Sequence, residues 1–285
     1  MNAVHRSALE RSLEVRHILG LDFKSPVPLI DACRQMGIAV RFVGDISMDG
    51  VYVGVGLQRP TILLSSLRPL PRRLFTCAHE LGHHVYSDGF VVDSDLAALA
   101  GSPPMQEARA NTFAAHLLMP RLGVASAFTV RGWNPIAADP TQIFTVACQF
   151  GVGYTTLIRH MQFGLGVLPE AAAERLLKTT PARIRLMAAG LKSPEPIAIA
   201  DQWYPSSTLD TEVGSFVMLP PKVVVDCQGL EALQPKGPST LFKVLKPGIH
   251  RASIPESDWA IFVRACRRNY QGLAQYRHLE DEEGD

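Results

Sequence analysis

Arg73-Leu-Phe-Thr-Cys-Ala-His79-Glu80-Leu81-Gly82-His83 lies inside a run from about Pro71 to Ser87 whose apolar residues Leu74, Ala78, Leu81 and Val85 recur at three- and four-residue steps. That period predicts a helix. On a helix, His79 and His83 project from one face, so their imidazoles can close on a single cation. Glu80 then falls beside the cation rather than on it, where a carboxylate can take a proton from a water that the cation activates. Such a centre needs a third protein donor and an open position. The next predicted helix, Met105 to Met119 and stopped by Pro120, offers Glu107. Asn111 follows four residues later on the same face, where its amide can hydrogen-bond and orient a ligand.

Neighbouring polar residues carry plainer expectations. His84 is rotated about 100° from His83 and is expected to be solvated or to support the site from outside. His116 and Cys77 are expected to pack or to lie at the surface. Tyr86 could reach a developing oxyanion, but a tyrosine at a helix end usually packs, so it stays outside the catalytic set.

Working outward towards the N-terminus, residues 5–19 and 26–36 have helical spacing. Short β-prone runs follow at Ile38–Val43, Gly50–Val55 and Thr61–Leu64, separated by Asp, Gly and Pro. The strands around residues 51–65 are candidates for an edge that pairs with an extended substrate segment.

The block ending in His79-Glu-Leu-Gly-His83 and the downstream block Glu107-Ala-Arg-Ala-Asn-Thr-Phe-Ala-Ala-His-Leu-Leu-Met-Pro120 agree in content and order with the ImmA/IrrE family of zinc metallopeptidases, which this chain resembles. The resemblance covers residues 10–120 and extends more weakly to about residue 190. It implies a zincin-like fold, with His79, His83 and Glu107 as zinc ligands and Glu80 as catalytic base. It also implies a protein substrate: known members cleave a helix-turn-helix transcriptional repressor and relieve repression, in the DNA-damage response or in mobile-element control. Zn2+ is the expected cofactor, with Mn2+ or another divalent ion as the alternative.

Beyond Asn134, Pro135 and Pro140 mark a linker, followed by helical segments at about 141–150, 154–163 and 170–190, the last broken at Pro181. Gln142 to His160 reads as a helix, a Gly-containing turn and a second helix, the pattern of a helix-turn-helix. Between Thr141 and Gly166 only Arg159 carries charge, which leaves the second helix poorly equipped for phosphates. Arg159, Arg175 and Lys178 are the candidate contacts to DNA or to a partner, with DNA not favoured. Pro194-Glu-Pro marks a second boundary, and the remainder alternates β-prone runs with one helix predicted near 257–275. Some proteins of the family carry a small sensor domain resembling GAF domains at this position.

The expected organisation is therefore α+β: a zincin-like domain over 1–133, a helix-turn-helix-like module over 134–193, and an α/β regulatory or sensor-like module over 194–285 with an acidic tail.

The composition excludes other classes. Hydrophobic residues make up 47% and charged residues 19% of the 285, which is too apolar for disorder. No 18 apolar residues run together, so no membrane span is expected. Five cysteines without a C-x-x-C pair fit a reducing compartment, hence a cytoplasmic protein. The net charge of +1 is uneven: residues 121–192 hold eight basic and three acidic groups, and residues 193–285 hold nine and thirteen. Contact with an anionic partner is thus an expectation for the middle alone. Two other readings remain open at this level: a DNA-binding regulator with a vestigial or structural zinc site, and a toxin–antitoxin or phage-defence component.

Overall fold

The computed structural model describes residues 3–54, 59–87, 91–92, 105–190, 192–226, 228–233 and 239–279. The acidic tail from Glu280 and one of the five cysteines, Cys227, lie outside them. The chain divides into two compact units: Met1–Val124 with Asn269–Tyr276, and Ala125–Arg268 with Arg277–Asp285. Among the described residues no helix is long and apolar enough to cross a membrane.

The first unit holds helices α1 (Ala3–Ile18), α2 (Leu29–Gln35), α3 (Leu70–Val85) and α4 (Met105–Leu118). Its strands are β1 (Ala39–Val43), β2 (Gly50–Val53), β3 (Thr61–Ser65) and β4 (Val91–Val92), joined by β13 (Gly272–Leu273) near the end of the chain. They form one sheet in the order β13-β1-β3-β2-β4. Two of these helices start at proline. Pro28 stands at the N-cap of α2; Pro69 does so for α3, with Pro71 in its first turn, where a missing N–H costs nothing. Helix α3 lies against β2 and β3, and Gly50 lets it approach. A Cβ at Gly50 would stand 2.5 Å from Thr76 Cγ2, so a larger residue would lift the helix off the strand.

Arg16 ties α1 to this core. Although wholly buried, it donates to the carbonyls of Leu117 in the last turn of α4, and of Asp22 and Ser25. Burial lowers its pKa to about 10, so the guanidinium stays charged and satisfies carbonyls that a helix end leaves open.

The second unit begins within α5 (Arg121–Thr129) and continues through α6 (Pro140–Gln149), α7 (Tyr154–Arg159), one π-helical turn (His160–Gly164), α8 (Glu170–Leu177) and α9 (Pro181–Ala189). The start of α6 is a capping box: Asp139 accepts from the Thr141 and Gln142 amides while the Gln142 side chain returns to the Asp139 N–H.

Eight strands follow in two sheets, β5 (Ile197–Ile199), β7 (Phe216–Leu219), β10 (Thr240–Val244) and β9 (Leu230–Ala232) in one, and β6 (Thr208–Glu212), β12 (Ala260–Cys266), β11 (Gly248–Ser253) and β8 (Val224–Val225) in the other. Their inner faces share Leu209, Val217, Leu219, Phe242, Val244, Ile261 and Val263. The outer face of the first sheet packs Ile197, Ile199, Phe216 and Met218 against Phe144 and Cys148 of α6 and Ala189 of α9. Burial in this seam pushes the Cys148 thiol up to about 12.

The structure departs from the sequence expectation in two places. The helix predicted over 257–275 is the strand β12, then β13, then a single 3-10 turn at Ala274–Tyr276. Ile261, Val263 and Ala265 are buried while Ala260 and Phe262 are exposed, a period of two that fits a strand paired on both sides by β11 and β6. The α/β character expected of residues 194–285 therefore gives way to β structure, since among the described residues after Ala189 only that 3-10 turn is helical.

His278 gives this unit a pH dependence. Its Nδ1 donates to the Ala265 carbonyl at 3.1 Å, and its Nε2 lies 3.9 Å from Asp210, which Arg264 holds at 2.8 and 2.6 Å. Burial, followed by the charge of Arg277, lowers the His278 pKa to about 4. Between pH 6.5 and 4 the unfolded chain therefore binds the proton that the native imidazole refuses, so stability falls as the pH drops through that window. Calorimetry at pH 7 and pH 5 is expected to show this loss, and His278→Asn to flatten it by about 1 kcal/mol. An unchanged pH slope in the variant would exclude His278 as its source.

Candidate metal centre

Helix α3 brings His79, Glu80 and His83 into the interior of the first unit, all three buried. The two imidazoles, one turn apart, meet edge to face at 4.7 Å between ring centres, with their Nε2 atoms 3.0 Å apart. Glu107, in the first turn of α4, sets its carboxylate 3.1 Å from His79 Nε2 and 3.4 Å from His83 Nε2. The three side chains are 5%, 0% and 14% exposed. Asn111 stands one turn after Glu107, its Oδ1 3.0 Å from His79 Nδ1. An amide oxygen only accepts, so Nδ1 carries a hydrogen and Nε2 is the ring nitrogen that faces Glu107.

Two imidazole nitrogens and a carboxylate converging in a largely buried pocket repel one another unless a proton or a cation lies between them. The hydrogen bond from His79, helped by the charges of His79 and His83, holds the Glu107 carboxyl below the usual carboxylate range, so it is anionic at neutral pH. The donors also fit a small divalent ion. A tetrahedral ion with ligands about 2.0–2.1 Å away separates its donors by roughly 3.3 Å; the spacings here are 3.0, 3.1 and 3.4 Å. Among the described residues, His79, His83 and Glu107 are a group that could hold a metal ion.

The approach of α4 to α3 creates this convergence, and Gly82 sits at the crossing. A Cβ there would be 3.1 Å from Phe113 Cδ1 and 3.2 Å from Ala110 Cα. Glycine is thus the residue that lets Glu107 reach the two histidines.

The surrounding residues have definite partners. His84 turns to β2, its Nδ1 2.8 Å from the Tyr52 hydroxyl. Tyr86 is engaged in packing, with the Arg109 guanidinium 3.8 Å above its ring, Phe113 edge-on at 6.3 Å, and its hydroxyl 3.4 Å from Ser7 Oγ. His116 is buried with its Nε2 3.0 Å from His5 Nε2, which joins α4 to α1. Cys77 is wholly buried, its sulfur 3.8 Å from that of Cys33. The Tyr52–His84, His5–His116 and Cys33–Cys77 pairs join residues 32, 111 and 44 positions apart, and no local pattern signals them.

The edge expected around residues 51–65 is largely taken: β3 is interior to the sheet, and the outer side of β2 pairs with β4 at Val51 and Tyr52. The candidate contacts Arg159, Arg175 and Lys178 belong to the second unit, not to this centre. Arg175 donates to the carbonyls of Ile136 and Ala138, Arg159 donates to Gln162 and lies 5.7 Å over the exposed ring of Phe163, and Lys178 is exposed at the end of α8.

Residues 33–159 match the family model described as the IrrE N-terminal-like domain, a metallopeptidase family. No curated protein matches the chain.

Proposed function

Taking as premise that residues 33–159 form an IrrE N-terminal-like peptidase domain, we propose that this chain is a zinc-dependent endopeptidase whose substrate is a helix-turn-helix transcriptional repressor. Cleavage relieves repression in a stress or DNA-damage response. The observation that carries the reading is the convergence of His79 Nε2, His83 Nε2 and the Glu107 carboxylate within hydrogen-bonding distance in a buried pocket. These three residues hold the ion. When bound, it supplies Lewis acidity to a water and to the scissile carbonyl. Glu80, next in the helix after His79, accepts the proton of the attacking water and delivers it to the leaving amine. Asn111 keeps His79 in the tautomer and orientation that the site needs. Five cysteines with no C-x-x-C pair support a reducing, cytoplasmic setting.

The test is zinc content together with cleavage of a helix-turn-helix repressor encoded beside this chain. Cleavage that a chelator abolishes and zinc restores supports the proposal; a loaded protein that leaves such repressors intact overturns the substrate assignment. Asn111→Ala is expected to weaken zinc binding about 10- to 100-fold with the fold intact. An unchanged affinity, read by competition with a chelator, would remove Asn111 from the site.

A second reading, a DNA-binding regulator, draws on the excess of basic groups over residues 121–192 and on the α6–turn–α7 pattern. Against it stands Arg175, which is spent on carbonyls of its own unit. Salt-sensitive duplex binding that survives Glu80→Gln, with no cleavage by the wild type, would select it.

A further inference from the structure

Cys33 on α2 and Cys77 on α3 are 44 residues apart in the chain, yet their sulfurs stand 3.8 Å from each other in the core of the first unit. Neither is in a disulfide, and both are wholly buried. A disulfide needs its sulfurs at about 2.05 Å, so the pair is about 1.8 Å short of a bond, a distance that side-chain rotation and a small helix shift can close. The two helices differ in how easily they yield. Helix α3 has 16 residues and is held by β2, β3 and α4, whereas α2 has seven residues. The outer side of α2, at Ile30, Asp31 and Arg34, lines an open cleft shared with Arg59, Leu273 and Gln275. Local opening therefore exposes Cys33 before Cys77. Cys77 in turn lies half a helical turn before His79, so a pull on its side chain loads the turn that carries His79 and Glu80.

The geometry points to a redox switch: under peroxide, Cys33 and Cys77 close to a reversible disulfide that clamps α2 to the helix of the metal ligands and weakens the metal centre. In the first step the Cys33 sulfur attacks the O–O bond of hydrogen peroxide, giving the sulfenic acid and one water. The Cys77 sulfur then displaces the oxygen from Cys33. The S–S bond forms, the S–O bond breaks, and the oxygen leaves as a second water with the Cys77 proton. Two thiols are oxidised by two electrons and one peroxide is reduced to two waters. A dithiol reverses the reaction. Disulfide formation is independent of the peptidase reading; only the effect on the centre rests on it.

The test treats the full chain, loaded with zinc, with hydrogen peroxide, then maps alkylated peptides by mass spectrometry and measures zinc affinity against a chelator. The expected result is a linked Cys33–Cys77 peptide pair about 2 Da lighter than the two thiols, with zinc affinity weakened by about tenfold, both reversed by dithiothreitol. Cys33→Ala and Cys77→Ala are each expected to bind zinc as the untreated wild type does and to be indifferent to peroxide. Oxidation of other cysteines without the Cys33–Cys77 pair overturns the inference, as does a linked pair that leaves zinc affinity unchanged. A reduced chain that binds no zinc, yet forms the pair, overturns the metal reading and the switch while retaining the thiol pair.

Discussion

Glu80→Gln is expected to lower peptide-bond cleavage by about a thousandfold while zinc stays bound. Glutamine matches the volume of glutamate and keeps an amide oxygen, but it cannot accept a proton. Because Glu80 is wholly buried, replacing its carboxylate by a neutral amide adds no charge to the interior and leaves the packing of α3 intact. The proposed ligands His79, His83 and Glu107 are untouched. Metal content per chain, the thermal midpoint and the rate of repressor cleavage separate the possibilities. Equal activity in the variant removes Glu80 from the mechanism, and loss of zinc together with activity makes it a structural residue.

Gly82→Val is expected to cost about 2–3 kcal/mol of stability and to weaken zinc binding by tenfold or more. The nearest obstacles to a Cβ at this position are Phe113 Cδ1 at 3.1 Å, Ala110 Cα at 3.2 Å and Ala110 Cβ at 3.3 Å. A phenyl ring can turn, but the Ala110 Cα is backbone of α4 and moves only with the helix. The extra methyl groups of valine therefore push α4 away from α3, and Glu107 sits three residues before Ala110 on the helix that moves. Gly82→Ala separates spacing from helix propensity. Its gain of about 1 kcal/mol in propensity opposes a few tenths of an ångström of crowding, so its stability stays close to wild type. Chemical denaturation and chelator competition measure both effects. A valine variant with wild-type zinc affinity would show that Gly82 does not set the approach of the two helices.

How far the fold was legible depended on how local its cause was. Helices α3 and α4 match their sequence expectation to within a residue or two, because apolar spacing, Pro69, Pro71 and Pro120 act within a few residues of where they stand. The region after Ser193 was harder. Over 257–275 a helix was expected, but Ile261 and Val263 lie on a strand that pairs with residues 208–212 and 248–253, and they are buried with Val217, Phe242 and Val244 of the other sheet. Strand β13 has two residues and exists through its partners Arg41 and Phe42 on β1, more than two hundred positions earlier. No pattern within Gly272–Leu273 encodes that return.

The candidate centre divides in the same way. His79 and His83 share a face, with Glu80 beside them, through helical geometry alone, and Glu107 and Asn111 share a face of the next helix for the same reason. Those placements follow from the sequence by itself, because a period of 3.6 residues is a property of the local chain. That the two faces meet, with Nε2 and carboxylate atoms 3.0 to 3.4 Å apart, is decided by tertiary packing. Gly82 against Ala110 sets that distance, and the pairs Cys33–Cys77 and His5–His116 come from the same packing of one helix against another. Local periodicity states which residues a helix presents; only close packing in the folded core states what they are presented to.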